Sequence, residues 1–421
     1  MATSTTRQTA RRQLFDEIDI GFNFTAITIT STTLTTRDPR LQAPGANMPA
    51  DHLRGYYLYR PDVPSADQIR MITGAAISSG LVTITHAGPN YTDTSDTVAE
   101  LLGIDPDLLN NYFNDALAAE FGEFTLPLSS LTDGDMQESD ATSWTDASGT
   151  SSKVTAAANV RYGLRGHRFA ASGSDGRAYR QTLDVTRGRT YRIAAIGRAD
   201  VGSAVLELTD AADAAIDSVT TTEENWTYLW LNVTPGSTVE RVRLKVGGVG
   251  ATDDSYWAAL WLFRPEDRVI ELPSWADDRE KVKAISTATF DGPTDATNTA
   301  QALSRGLRTL AQDRDWYYVS EQAAVHPHVV EFRSKIGTYG PLFITGTPPY
   351  SYFGTFSADS DTTFCPQDVL VARVKFIIGR HHEDIFPGLR SDSLGEIAGL
   401  ARRHIVSPPP EPEFHPRFLR S

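Results

Sequence analysis

One stretch limits what this chain can fold into more than any other: from Leu131 to Phe263, polar and apolar residues alternate with period two, and turn residues interrupt them. Tyr191, Ile193 and Ala195 stand against Arg192, Ala194 and Ile196, with Gly173, Gly176, Gly188, Gly202 and Pro235-Gly236 between the runs. A helix would repeat its apolar residues every three or four positions. The alternation therefore predicts short antiparallel strands stacked as a sandwich.

The remaining residues set the bounds. At 421 residues the chain is long enough for two or three domains of roughly 100–200 residues each. A formal net charge of −14 argues against a surface that grips nucleic acid, which needs clustered Lys and Arg. Cys365 is the single cysteine, so no intramolecular disulfide or multi-cysteine zinc site is expected. Residues 1–20 hold no apolar signal core, and no run approaches the ~20 apolar residues of a membrane span. The expectation is a soluble protein made in a cytoplasm.

The flanks read differently. Residues 1–13 are rich in Thr and Arg without an apolar period, which predicts a flexible or partner-docked arm. Phe22 to Leu34, Tyr56-Tyr57-Leu58-Tyr59, Ile69–Ile72 and Leu81–Thr85 read as strands. Asp105-Pro106 has the form of a helix start, and Leu108, Leu109, Tyr112, Phe113, Ala116 and Leu117 supply its stripe. Beyond the sandwich, Ser274 is placed as the cap of a helix carrying Trp275, Val282 and Ile285, and Thr297 or Asn298 starts another with Ala300, Leu303, Leu307 and Leu310. Strands follow at 316–319, 329–332 and 342–345, then helices carrying Val369 to Ile377 and Leu394 to Ala401. Ser407-Pro408-Pro409-Pro410-Glu411-Pro412 favours an extended polyproline tail.

Clusters that suggest chemistry have plainer readings. His381-His382-Glu383-Asp384 holds adjacent side chains that diverge by ~100° on a helix, so a solvated helix end is preferred to a metal site. His326-Pro327-His328 lacks a third ligand. Asp359-Ser360-Asp361 has too few oxygen ligands, and no glycine, for a calcium loop; a capped turn is the better account. Cys365 reads as a small buried residue. With no nucleophile elbow, phosphate loop or dinucleotide fingerprint, no catalytic residue, cofactor or metal is assigned. On the strand Trp226–Thr234, Leu229, Leu231 and Val233 share one face and Tyr228, Trp230 and Asn232 the other. Tyr228, Trp230 and Tyr179 are therefore candidate glycan or subunit contacts, with subunit packing preferred for Trp230.

Residues 131–263 resemble the jelly-roll carbohydrate-binding modules through Asp133-Gly134-Asp135-Met136, Trp144, Gln181-Thr182-Leu183-Asp184-Val185 and Gly188-Arg189-Thr190-Tyr191. The chain departs from that pattern where Gln137 replaces the usual Glu and Ala258-Ala259 replace an acidic pair. In that family these acids help to hold a structural calcium, so the resemblance implies the fold and puts the metal in doubt.

The flanks resemble tailed-bacteriophage virion proteins of the head-to-tail connector. The residues that carry this are Gly55-Tyr56-Tyr57-Leu58-Tyr59-Arg60, Gln68-Ile69-Arg70, Leu81-Val82-Thr83, Asp105-Pro106-Asp107-Leu108-Leu109-Asn110, Leu272-Pro273-Ser274-Trp275 and Asp359 to Ala372. The resemblance implies a neck adaptor in the virion, synthesised in the host bacterial cytoplasm and forming a homo-oligomeric ring of about twelve copies. Its partners would be the portal and tail or other neck proteins, with DNA passing through and no membrane contact. Phe414, Arg417, Phe418 and Arg420 on the Pro-rich tail would dock on the portal or a neighbouring subunit.

The expected fold class is thus an α+β discontinuous core, a small β structure plus helices, with an inserted all-β jelly-roll sandwich. The expected domains are residues 1–130 and 266–406 for the core, 131–265 for the jelly roll and 407–421 for the tail. The alternative function is glycan binding by the jelly roll.

Overall fold

Alternating strands need a second layer for their apolar face, and this chain meets that need twice. The computed structural model describes residues 5–405 except 43–51, 62, 64–67, 95–97, 119–122, 130, 147, 173–176, 187, 237–240, 279, 290–298, 304–314, 320–327 and 339–340. Two compact units emerge: a sandwich unit, Glu120–Gly354, and a helical unit of two segments, Ala2–Ala119 and Thr355–Val406. Among the described residues the protein is mostly β, with four helices.

In chain order the helical unit has β1 (Thr5–Thr6), α1 (Arg7–Ile18), β2 (Gly21–Thr25), β3 (Thr28–Ile29), β4 (Thr33–Thr36), β5 (Tyr57–Tyr59), β6 (Ile69–Ser78), β7 (Leu81–His86), β8 (Val98–Leu102) and α2 (Pro106–Leu117). The sandwich unit has β9 (Phe124–Pro127), β10 (Thr145–Asp146), β11 (Gly149–Val154), β12 (Gly166–Ala171), β13 (Arg177–Asp184), β14 (Tyr191–Val201), β15 (Ala204–Asp210), β16 (Ala215–Thr221), β17 (Thr227–Val233), β18 (Arg241–Gly247) and β19 (Asp254–Phe263). It continues with β20 (Val269–Glu271), β21 (Val282–Thr289), β22 (Thr299–Leu303), β23 (Trp316–Val319), β24 (Val329–Phe332) and β25 (Leu342–Gly346). The helical unit resumes with β26 (Thr362–Thr363), α3 (Gln367–His381) and α4 (Leu389–Ile405).

Two antiparallel five-stranded sheets, ordered β10-β13-β18-β15-β16 and β11-β12-β19-β14-β17, make the jelly-roll sandwich. Phe169, Ile193, Leu229, Leu231 and Trp257 from one sheet meet Leu206, Leu208, Val242 and Leu244 from the other in a single core. The second sheet is also buried on its other face. Ala194, Ile196, Trp261 and Phe263 pack there against Leu126, Trp275, Val282, Trp316, Phe332 and Phe343. Those residues belong to the sheets β22-β21-β25-β9 and β20-β24-β23 and to the segments beside them.

This corrects the expected boundary at residue 265. An apolar core runs through it, so residues 266–354 belong with the sandwich and not with the helices. The helices expected around Val282 and from Thr297 are likewise replaced by β21 and β22; Leu307 and Leu310 lie outside the described residues.

In the helical unit a seven-stranded sheet, β2-β8-β5-β6-β7-β4-β3, encloses Phe24, Leu34, Leu58, Ile72, Val82, Ile84 and Leu101. The arm expected over residues 1–13 is a helix for most of its length. Thr6 caps α1 by accepting from the Thr9 N–H at 3.1 Å, and Ala10, Leu14 and Phe15 are buried. Asp105 caps α2 as its sequence predicts, accepting from the Asp107 N–H at 2.9 Å.

Candidate functional site

The outward face of the sheet β10-β13-β18-β15-β16 concentrates polar groups in an unusual way. Ala204, Leu206 and Leu208 of β15 point into the core, so Val205, Glu207 and Thr209 point away from it. On β18 the same alternation sends Val242, Leu244 and Val246 inward and Arg243 and Lys245 outward. The register pairs Glu207 with Lys245 and Thr209 with Arg243.

Outward polar residues on a sandwich are ordinarily wet, yet Glu207 is 5%, Lys245 3% and Thr209 1% exposed. Burying such groups is costly unless they gain partners. Lys245 donates to Asp213 at 2.8 Å, and Arg243 forms a second ion pair with the same carboxylate. Hydrogen bonds from Lys245 and Arg243 hold the Asp213 carboxyl below the usual range. The Thr209 hydroxyl has no hydrogen-bond partner among the described residues.

The candidate contacts read from the sequence are divided between the sheets. Tyr228 and Trp230 lie on β17, at the edge of one sheet. Tyr179 lies on β13 of the other, at the register position opposite Thr145 and Lys245; its side chain is outside the described residues. Tyr228 packs against the outer apolar core, and burial pushes its hydroxyl up to about 12. Trp230 is 50% exposed, with the Arg192 guanidinium 5.6 Å from its ring centroid. Arg192 is fixed by donating to Asn232 Oδ1 at 3.0 Å and to the Gly337 carbonyl at 3.2 Å. Phe414, Arg417, Phe418 and Arg420 lie outside the described residues.

At the opening of the sandwich, Asp133 and Asp135 line a cavity of about 240 Å3 with Ser129, Thr132, Glu138 and Tyr352. Their carboxylates are already occupied by protein donors. Asp133 Oδ1 accepts from the Glu138 N–H at 3.0 Å, and Oδ2 accepts from Trp144 Nε1 at 2.9 Å and from Lys153. Asp135 accepts from the Gln137 N–H at 3.2 Å and from the Tyr352 hydroxyl. A calcium ion does not fit between these carboxylates: a cation would have to displace these donors, including an ammonium.

Other clusters are structural. No group of three or more metal-type side chains converges among the described residues. His381 stacks on Tyr112 and His382 meets the Tyr112 hydroxyl at 3.1 Å; His326 lies outside the described residues. Burial pushes the Cys365 thiol up, which makes it a poor nucleophile. Asp359 is not merely a turn cap. It accepts from Arg7 at 2.7 Å, from Arg11 at 2.8 and 2.6 Å and from Tyr59 at 2.7 Å, while Arg11 also donates to Glu100 at 2.7 Å. Burial alone would raise the Asp359 carboxyl; the bonds from Arg11 and Tyr59 outweigh it and hold it low. The spacing of Arg7 and Arg11, one helical turn apart, is the only sequence signal for this network. No helix among the described residues is long and apolar enough to cross a membrane.

No protein-family model matches the sequence, and no curated protein matches it. About a third of the chain is similar to solved structures. A family 16 carbohydrate-binding module is 18% identical over 32% of this chain and 99% of its own, with a TM-score of 0.26. A module solved in complex with β-1,4-galactotriose is 19% identical over 32% of this chain and 98% of its own, TM-score 0.24. The enzymatically active domain of tailspike protein 4 of bacteriophage CBA120 is 14% identical over 32% of this chain and 22% of its own, TM-score 0.26. The jelly-roll assignment rests on the two facing sheets themselves.

Proposed function

We propose that the protein binds glycans through its jelly roll, on the outward face of β18, β15 and β16. The observation that carries this reading is the ion pair of Arg243 and Asp213, whose side chains remain 24% and 49% exposed on this face, above the buried Glu207, Thr209 and Lys245 that brace it. A sugar presents hydroxyls that both donate and accept. The Asp213 carboxylate and the Arg243 guanidinium offer an acceptor and donors side by side, and a site built to pair hydroxyls discriminates strongly against ligands that lack them. The full chain applied to a glycan array should bind at least one oligosaccharide class. No binding across the array would remove this reading. Binding abolished by Trp230→Ala but untouched by Asp213→Asn would move the site to the β17 edge.

A second reading concerns the helical unit: the neck adaptor of a tailed-phage virion, built on a discontinuous α+β core, assembling as a ring on the portal and carrying the jelly roll as an appended domain. The observation behind it is the large apolar side chains left exposed on this unit, among them Ile27, Tyr56, Met71, Ile77, Ile385 and Leu394, which would mark a surface covered by another chain where they lie side by side. In this reading Phe414, Arg417, Phe418 and Arg420 dock the tail, and Trp230 packs on a neighbouring subunit. Light scattering should give a multiple of the chain mass, alone or with purified portal. A single-chain mass under both conditions would rule the adaptor out.

A further inference from the structure

Three backbone carbonyls converge on one nitrogen at the opening of the sandwich. Gln137 Nε2 donates toward the carbonyl of Asp135 at 2.9 Å, that of Arg165 at 2.9 Å and that of Tyr162 at 3.2 Å. The orientation of the amide is fixed from its other end, where Oε1 accepts from the Leu164 N–H at 2.8 Å and the Arg165 N–H at 3.2 Å. Gln137 is 1% exposed. The loop wraps the amide so closely that a Cβ on Gly163, which sits at φ +62°, would lie 2.4 Å from Oε1.

An amide nitrogen has two hydrogens, so three acceptors exceed what it can serve fully. Converging oxygens of this kind are the ligand set of a hard cation, which would hold them at about 2.3–2.6 Å. The separations here are those of hydrogen bonds. Nearby, the Asp133 carboxylate is neutralised by the Lys153 ammonium, whose side chain is 6% exposed. We propose that the Gln137 carboxamide and the Lys153 ammonium together take the place of a bound divalent cation, so that this jelly roll is built to fold without a metal.

The substitution that reverses the arrangement is Gln137→Glu. It removes the donor, places a carboxylate among three carbonyl oxygens and recreates a set that only a proton or a cation can satisfy. The experiment follows thermal unfolding of the full chain in a calcium chelator and in millimolar calcium. The wild type should unfold at the same temperature in both. Gln137→Glu should be destabilised by several degrees in chelator and regain stability in calcium, because a ligand that binds only the folded state raises the midpoint. Gln137→Met, which loses the donor without adding charge, should be destabilised equally in both. A wild-type midpoint that drops in chelator or rises in calcium would overturn the proposal, and so would a folded Gln137→Glu protein that ignores calcium. Should Gln137→Glu fail to fold in either solution, the wild-type comparison still decides.

Discussion

Asp135 shows at the scale of one residue how the opening of the sandwich is balanced. Burial pushes its carboxyl up to about 6, the neighbouring Asp133 charge adds to the rise, and the hydrogen bond from Tyr352 opposes it. Because the folded value lies above the ordinary aspartate value of 3.8, the associated stability is fully present below 3.8 and is lost as pH rises through about 6. Asp135→Asn should therefore flatten the stability profile between these limits and gain on the wild type at neutral pH. Urea unfolding at several pH values checks this, and identical slopes for both proteins would contradict it. The motif Asp133-Gly134-Asp135-Met136-Gln137 was legible as the opening of a jelly roll. Its partners were not, because Lys153 and Tyr352 reach it only through the fold.

Elements were legible where a single period governs them. Asp105-Pro106 and the stripe after it gave α2, and alternation gave the sandwich strands. Helix α1 was hidden because its inward stripe runs Arg7, Ala10, Arg11, Leu14, with two arginines at core positions. They read as solvated until Asp359 and Glu100, hundreds of residues and tens of residues away, are brought to them. Arg11→Met would leave both carboxylates buried without their main cation, which costs about 3–5 kcal/mol. Denaturant unfolding should show that loss; a change below ~1 kcal/mol would mean that the network does not hold α1 in place. The strand β21 was misread for a geometric reason. Its register with β25 shifts between Val282 and Ala284, and this bulge lets Val282 and Ile285, both fully buried, mimic helical spacing.

The whole molecule is organised by sheet faces more than by the segment boundaries that composition suggests. The run Trp257-Ala258-Ala259-Leu260-Trp261-Leu262-Phe263 breaks alternation because both faces of β19 are covered, the feature that extends the sandwich unit to Gly354. With that face sealed, the facing sheet carries the partly exposed charged pair Arg243 and Asp213, which is the basis of the glycan reading. The sequence showed the alternation of β18 but not the pairing of Lys245 with Glu207, which depends on register. The most direct test is a calorimetric titration of the full chain with the best oligosaccharide from an array, beside Asp213→Asn and Arg243→Met proteins whose unfolding shows them folded. Each lost charged hydrogen bond should weaken binding about ten-fold or more. Equal affinity in all three proteins would contradict the assignment of this face.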